Sequence, residues 1–380
     1  MKFFLKLILS SFLFYTCTNS IKQNEQKATI VFKEYRKLSE KELRYYKYRA
    51  QKVYDSIFGK YSFNGSILIQ KNGEIILEKY NGYSNFNTKK PIKPKTPFHI
   101  ASISKTFTAA VILRLIDQGK LKFTDSIQQF FPAFPFHEIT IHSLLSHRSG
   151  LANYAYFMGY GTLWNQYKKA SNQDMLQFII ETKPDKYNKA NKSFSYCNTN
   201  YALLALIIEK VTGNNYPQYL QDSIFKPLGM NNSFVFSIKD SSNYNPSFAY
   251  NNRYYPLESI DFIYGDKNIY STVRDLMIWD HSIYSNNIYS KEMYELAITP
   301  YSNERKSIHN YGYGFRLMIY PNEKIVYHNG WWHGNNTVFT RLVKDSAAIF
   351  LLGNKYNRAI YSGFKLKNIF SSTYSDIPIE

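Results

Sequence analysis

The spacing of apolar and polar positions divides the chain into strand-like ends and a helical middle. Ser39-Glu40-Lys41-Glu42 has the form of a capping box, Ser39 and Glu42 being three apart, and predicts a helix running to about Phe58. Residues 65–70 and 74–80 read as strands joined by the turn Lys71-Asn72-Gly73, a hairpin signal. A Pro/Lys-rich loop over 89–97 leads into a long apolar helix from about Ser102 to Gln118, stopped by Gly119. From about 120 to 290 loops alternate with helical stretches, the clearest covering Thr199 to Val211 and ended by Gly213. The period returns to that of strands over 313–320, 325–327, 337–342 and 347–352, and a last helix is expected over about 356–370. Strands at both ends around a helical insertion predict an α/β (α+β) architecture. It consists of one antiparallel β-sheet built from both terminal segments and flanked by helices, plus an all-helical lobe over about 120–290. A cleft between the two parts is where a site is expected.

The first residues carry a different pattern. Lys2 and Lys6 border an apolar run whose uninterrupted part, Leu7 to Tyr15, is too short to span a bilayer and has the size of a signal-peptide core. It stops at Cys17, and polar residues follow. This resembles a bacterial lipoprotein signal over 1–17, cut just before a lipidated Cys17 that becomes the mature N-terminus, with 18–37 as a tether and 38–380 as the folded domain. Phe14-Tyr15-Thr16 is bulkier than the small residues such a signal usually carries there. The expected location is therefore outside the cytoplasm, lipid-anchored to a membrane. The one other cysteine, Cys197, rules out a disulfide framework.

Composition narrows the class further. A hydrophobic share of 44% and an aromatic share of 18% exclude a disordered chain. Lys+Arg 47 against Asp+Glu 28 gives a net charge of +19, which raises the question of nucleic acid. The basic residues are scattered in short clusters such as Lys89-Lys90 and Lys168-Lys169, without a stripe or arm. That distribution fits a basic surface and no nucleic-acid partner.

Three short motifs carry candidate chemistry. Ser102-Ile103-Ser104-Lys105 opens the long apolar helix. A spacing of three puts Ser102 and Lys105 on one helical face, where unpaired amides and the positive dipole end favour a developing alkoxide. The tetrad alone is weak evidence, since Ser223 to Lys226 and Ser362 to Lys365 match it equally. Tyr196-Cys197-Asn198 sets a phenol and an amide on one side of an extended segment. The phenol suits proton exchange with Ser102 and Lys105, and the amide suits a substrate carbonyl. Other Tyr-x-Asn triplets, among them those at Tyr83, Tyr284 and Tyr301, act as decoys. His328-Asn329-Gly330 ends a strand-like run before Trp331-Trp332. Gly330 would let substrate backbone approach, and the Trp331 amide would join that of Ser102 as an oxyanion donor. The alternative for this triplet is an Asn-Gly hairpin turn.

In this order, S-x-x-K, Y-x-N and then H-x-G, the sequence resembles the class C β-lactamase, DD-peptidase and penicillin-binding-type esterase group of serine hydrolases. Supporting stretches include Phe98 to Lys105, Ile139 to Leu151, Lys226 to Met230, Ile269 to Leu276 and Tyr311 to Phe315. The resemblance implies Ser102 as the acylated nucleophile, with Lys105 and Tyr196 sharing general-base and general-acid duty. It further implies Asn198 on the substrate amide, His328 and Gly330 in substrate binding, and no metal or organic cofactor. His142 and His147 fall in a structural stretch of the family. A Lys at position 328 would be a permanent cation for a substrate carboxylate, whereas a His of ordinary pKa is largely neutral at pH 7. The expectation is therefore a D-alanyl peptidase, acting on a small-molecule or peptidoglycan-peptide substrate, or an esterase. β-Lactamase activity and a non-catalytic binding role are the alternatives, and carboxylated substrates are expected to gain as the pH falls towards 6.

Overall fold

The computed structural model describes residues 34–59, 63–159, 163–241 and 244–370. Cys17 and the segments read as signal and most of the tether lie outside the described residues. The first helix, α1 (Glu40–Phe58), starts as its sequence dictates: the Ser39 hydroxyl accepts from the Glu42 amide while the Glu42 carboxylate accepts from the Ser39 amide. Its apolar side, with Ala50, Val53, Tyr54 and Ile57, lies on a sheet face made by Ile67, Ile69, Val338 and Leu351.

That sheet has seven antiparallel strands. In chain order they are β1 (Gly65–Lys71), β2 (Glu74–Asn81), β3 (His309–Tyr311), β4 (Arg316–Tyr320), β5 (Glu323–Trp332), β6 (Asn335–Leu342) and β7 (Ala347–Gly353). Across the sheet they run β2-β1-β7-β6-β5-β4-β3, so the N-terminal hairpin adds to the edge of the C-terminal strands through the β1–β7 pair. Strands β6 and β7 are buried at every position. This is the pattern of strands covered on both faces: α1 and the 3-10 winding Arg358–Ile369 cover one face, and a helix at Val273–Tyr284 lies against β7 and β1.

Two further helices position the chemistry, α2 (Ser104–Asp117) and α3 (Asn198–Thr212); α3 ends on Gly213 at φ 71°. The stretch read as all-helical also holds two short strands, Phe234–Val235 and Ile269–Ser271, which form a small sheet with Phe98–His99 just before α2. Strand β4 begins later than its apolar pattern suggested, because the Gly312 amide bonds to Phe315 O and Gly314 turns at φ 79°. The Asn329-Gly330 pair forms no turn. It lies inside β5, and the hairpin closes two residues later at His333-Gly334.

Candidate active site

Ser102 sits in one tight 3-10 turn, Ala101–Ile103, that feeds directly into α2. Ala101 is held at φ 50°, a sparsely populated region for a residue with a side chain. Its amide donates to His99 Nδ1 at 3.1 Å, and His99 Nε2 lies 3.1 Å from Asn268 Oδ1. An imidazole used this way must be neutral, and burial pushes its pKa down to about 4. The turn is also tied to the large sheet, since Thr337 Oγ1 donates to Ile100 O at 2.9 Å.

Lys105, one turn into α2, is completely buried. Its Nζ lies 3.1 Å from Ser102 Oγ, 2.9 Å from Asn198 Oδ1 and 2.8 Å from the Asp266 carbonyl oxygen. Asn198 is the first residue of α3, so two helix starts converge on one amine. The Tyr196 ring centroid lies 5.0 Å from Nζ on one side and 4.8 Å from the Arg316 guanidinium carbon on the other. His147 anchors this corner: its Nδ1 accepts from the Cys197 and Asn200 amide groups at 3.2 Å, and its ring is 4.3 Å from that of Tyr196. The buried Cys197 thiol is pushed up to about 11 by desolvation.

The backbone of β5 supplies an open edge beside Ser102. Ile319 of β4 donates its N–H to Ile308 O, away from β5, so by alternation Met318 and Tyr320 face β5, opposite Ile325 and Glu323. The β5–β6 register runs without a slip to the Trp332–Asn335 pair. The same alternation therefore turns the Asn329 and Trp331 amides toward the β4 side, and β4 ends at the Tyr327–Arg316 pair. Gly330 presses the strand onto the nucleophile turn: a Cβ there would lie 2.5 Å from Ile100 O. Only glycine allows that approach.

Ser102, Tyr196, Asn198, Arg316, Trp331 and His333 line one cavity of about 600 Å³. A neighbouring cavity of about 530 Å³ shares Arg316 and Tyr327 as a wall. The His328 side chain does not line the first cavity. It is fully buried, with Nδ1 2.8 Å from Asn329 O and Nε2 3.3 Å from the Tyr311 hydroxyl. Burial, and then the Arg316 and Lys105 charges, hold its pKa well below 6.5. The sequence-based expectation of His328 charging near pH 6 is corrected on that ground. The cation bordering the cavity beside Tyr196 is Arg316, which the sequence reading missed. Its signal was available, because a two-residue turn after Tyr320 sets Arg316 opposite Tyr327. The decoy tetrads lie elsewhere: Lys226 is paired with Asp222 at 2.9 Å, and Ser362 is on the 3-10 winding that covers the far face of the sheet. Among the described residues no group of three or more His, Cys, Asp or Glu is placed to hold a metal ion.

Comparison with known proteins gives the family. The chain is 32% identical over 350 residues to penicillin-binding protein 4* of Bacillus subtilis (strain 168), covering 86% of this chain and 77% of that one. It resembles the octameric penicillin-binding protein homologue from Pyrococcus abyssi at 27% identity and a TM-score of 0.68, over 81% of this chain and 73% of that one. The fold also matches the penicillin binding protein from Bacillus halodurans, with a TM-score of 0.73 at 20% identity over 84% and 99% of the two chains. Since the Beta-lactamase family matches residues 57–360, a span that includes the Ser–Lys pair and the open strand edge beside it, this chain belongs to that family and is a serine hydrolase.

Proposed function

We propose that the protein is an exported, lipid-anchored D-alanyl peptidase that works through an acyl-enzyme on Ser102. The observation that carries the substrate class is Arg316. Its guanidinium borders the catalytic cavity, has no hydrogen-bond or ion-pair partner among the described residues, and packs on the Tyr196 ring at 4.8 Å. A permanent cation of this kind suits the C-terminal carboxylate of an acyl-D-alanyl-D-alanine leaving group. It takes over the part for which the neutral His328 is unsuited, and it favours a carboxylated peptide over a neutral ester.

The acceptors around Lys105 support a role for it in the first proton transfer. Asn198 Oδ1 and Asp266 O accept two of its N–H groups, leaving the third position on Nζ aimed at Ser102 Oγ. As Oγ adds to the peptide carbonyl, its proton passes to Nζ, and the Ser102 and Trp331 amides stabilise the oxyanion. Asn198 Nδ2, freed by the bond its oxygen makes, binds the acyl amide. Tyr196 gives its phenol proton to the departing amine as the C–N bond breaks, and takes one back from Lys105 Nζ, which restores both groups. Water then adds to the ester, releasing the acid and restoring the Ser102 hydroxyl.

The test compares kcat/KM for an acyl-D-Ala-D-Ala peptide with that for its C-terminal amide. A charge-assisted pair is worth about 2–3 kcal/mol, so the free acid should lead by about 30- to 150-fold, and Arg316→Ala should erase the lead. No peptide hydrolysis alongside rapid nitrocefin turnover would sink the peptidase reading in favour of a β-lactamase. Anchoring rests on the apolar run ending at Cys17. Labelled palmitate should mark the wild type and not Cys17→Ser, and unlabelled protein in the cytosolic fraction would refute it.

A further inference from the structure

The far end of the cleft holds a second ionisable pair. Strand β5 passes the nucleophile turn at Gly330; Arg316 lies across from Tyr327, three residues before it, and His333 comes three residues after it. At about 3.3 Å per residue, Arg316 and His333 flank Ser102 at about 10 Å each along the strand. His333 Nε2 is 3.1 Å from both carboxylate oxygens of Asp261. Asp261 is almost fully buried and also accepts from Trp332 Nε1 at 2.6 Å and from the Glu258 amide at 2.7 Å. Tyr255 stacks on the imidazole with ring centroids 5.6 Å apart. His333 Nδ1 has no partner among the described residues, and the residue lines both the catalytic cavity and a small one shared with Asp261 and Tyr255.

The backbone makes this histidine conspicuous. His333 is the first residue of the β5–β6 turn and stands at φ 49°, where glycine or asparagine is the ordinary choice. Gly334 cannot exchange places with it, because a Cβ there would lie 2.2 Å from Phe248 O. What singles it out is its place, an imidazole held between a buried carboxylate and a tyrosine ring beside the catalytic cavity. Proton transfer to the scissile bond is not its task, given the separation of about 10 Å.

We propose that His333, oriented by Asp261, recognises an anionic group on the acyl part of the substrate, at the end of the cleft opposite Arg316. The assignment of this end to the acyl part rests on the reading that Arg316 takes the leaving group. With Nε2–H given to Asp261, protonation changes only Nδ1, from a lone pair that repels a carboxylate to an N–H that donates to it. The charged groups facing the ring are Asp261 and Glu258, which favour its protonation, and Lys267, which opposes it as burial does; the buried His99 is a further titratable neighbour. Asp261 prevails, so the imidazole titrates above 6.5.

The experiment uses two acyl chains long enough to span about 10 Å, one ended by a carboxylate and one by the isosteric primary amide. Each is attached both to D-Ala-D-Ala and to p-nitrophenol. At pH 6 the acid should lead the amide in kcat/KM by about tenfold, as a charge-assisted hydrogen bond allows. The lead should vanish as the pH rises through a midpoint above 6.5. His333→Asn, which suits the turn's backbone, should bring the ratio to about one at every pH. A wild-type ratio of one at pH 6 overturns the inference, as does a lead that survives His333→Asn or that disappears with Arg316→Ala instead. If His333→Asn does not fold, the wild-type pH profile decides alone. Ester pairs that show the lead while the peptides are not cleaved would sink the peptidase reading and leave the anion site standing.

Discussion

Replacing Gly330 by alanine tests the idea that β5 and the nucleophile turn are held in contact to form one oxyanion site. The new Cβ would lie 2.2 Å from Thr337 Oγ1, 2.5 Å from Ile100 O and 2.9 Å from Ala101 Cβ. None of these can swing away cheaply: two belong to the turn carrying Ser102, and the third is the hydroxyl that ties that turn to β6. Restoring ordinary contact requires the strand to back off by about 1 Å, an overpacking that costs about 1–3 kcal/mol of stability. A misplacement of about 1 Å at reacting groups costs about a hundredfold in rate. Gly330→Ala should therefore fold with a melting temperature lowered by several degrees and lose about a hundredfold in kcat on a p-nitrophenyl ester. The ester isolates the acylation geometry from leaving-group recognition at Arg316. A variant keeping more than half the wild-type kcat would show that the Trp331 amide is not part of the catalytic geometry, and the open-edge argument would fall with it.

Ser102→Ala should abolish ester turnover and labelling by a fluorophosphonate while leaving the melting curve unchanged, whereas Ser223→Ala and Ser362→Ala should keep most activity. Lys105→Ala should cost about three orders of magnitude or more in kcat/KM, since it removes the amine 3.1 Å from Oγ and leaves Asn198 Oδ1 and Asp266 O without that donor. His328→Lys should not create a β-lactamase: it places an ammonium in a fully buried site beside Arg316 and Lys105, and should lower stability by about 3 kcal/mol or more in urea titration. The buried neutral histidines 99, 147 and 328, all depressed by desolvation, should make the protein acid-sensitive. The unfolded chain takes up their protons below about pH 6.5 and the folded one does not, so each removes up to about 1.4 kcal/mol per pH unit as the pH falls. His333 works in the other direction, its stabilisation being present below 6.5 and lost as the pH rises through its raised midpoint. A urea midpoint unchanged between pH 7 and pH 5 would contradict the burial argument.

What the sequence made legible is what depends on residues close together in the chain. The Ser39 capping box, the Gly213 stop and the Ser102–Lys105 spacing are each settled within one helical turn, and each stands where its motif puts it. The partners of Lys105 are different. One is a backbone carbonyl 161 residues away, on a segment whose side chains gave no hint of it. For Asn329-Gly330 the strand reading held over the hairpin alternative, since Trp331 and Trp332 carry β5 two residues further.

The two histidines of β5 and its turn draw the limit most sharply. His328 and His333 are five residues apart and chemically identical, yet one is driven well below 6.5 and the other above it. The first packs among Arg316, Lys105 and aromatic rings with no carboxylate to offset its burial. The second meets Asp261, delivered by the 3-10 turn Ser259–Phe262, 72 residues earlier in the chain. Charge in this cleft is set by which distant segment arrives beside each ring, so a motif can name the residues of the site without fixing their ionisation. The cation bordering the cavity comes from the next strand, by register, at Arg316, and not from position 328.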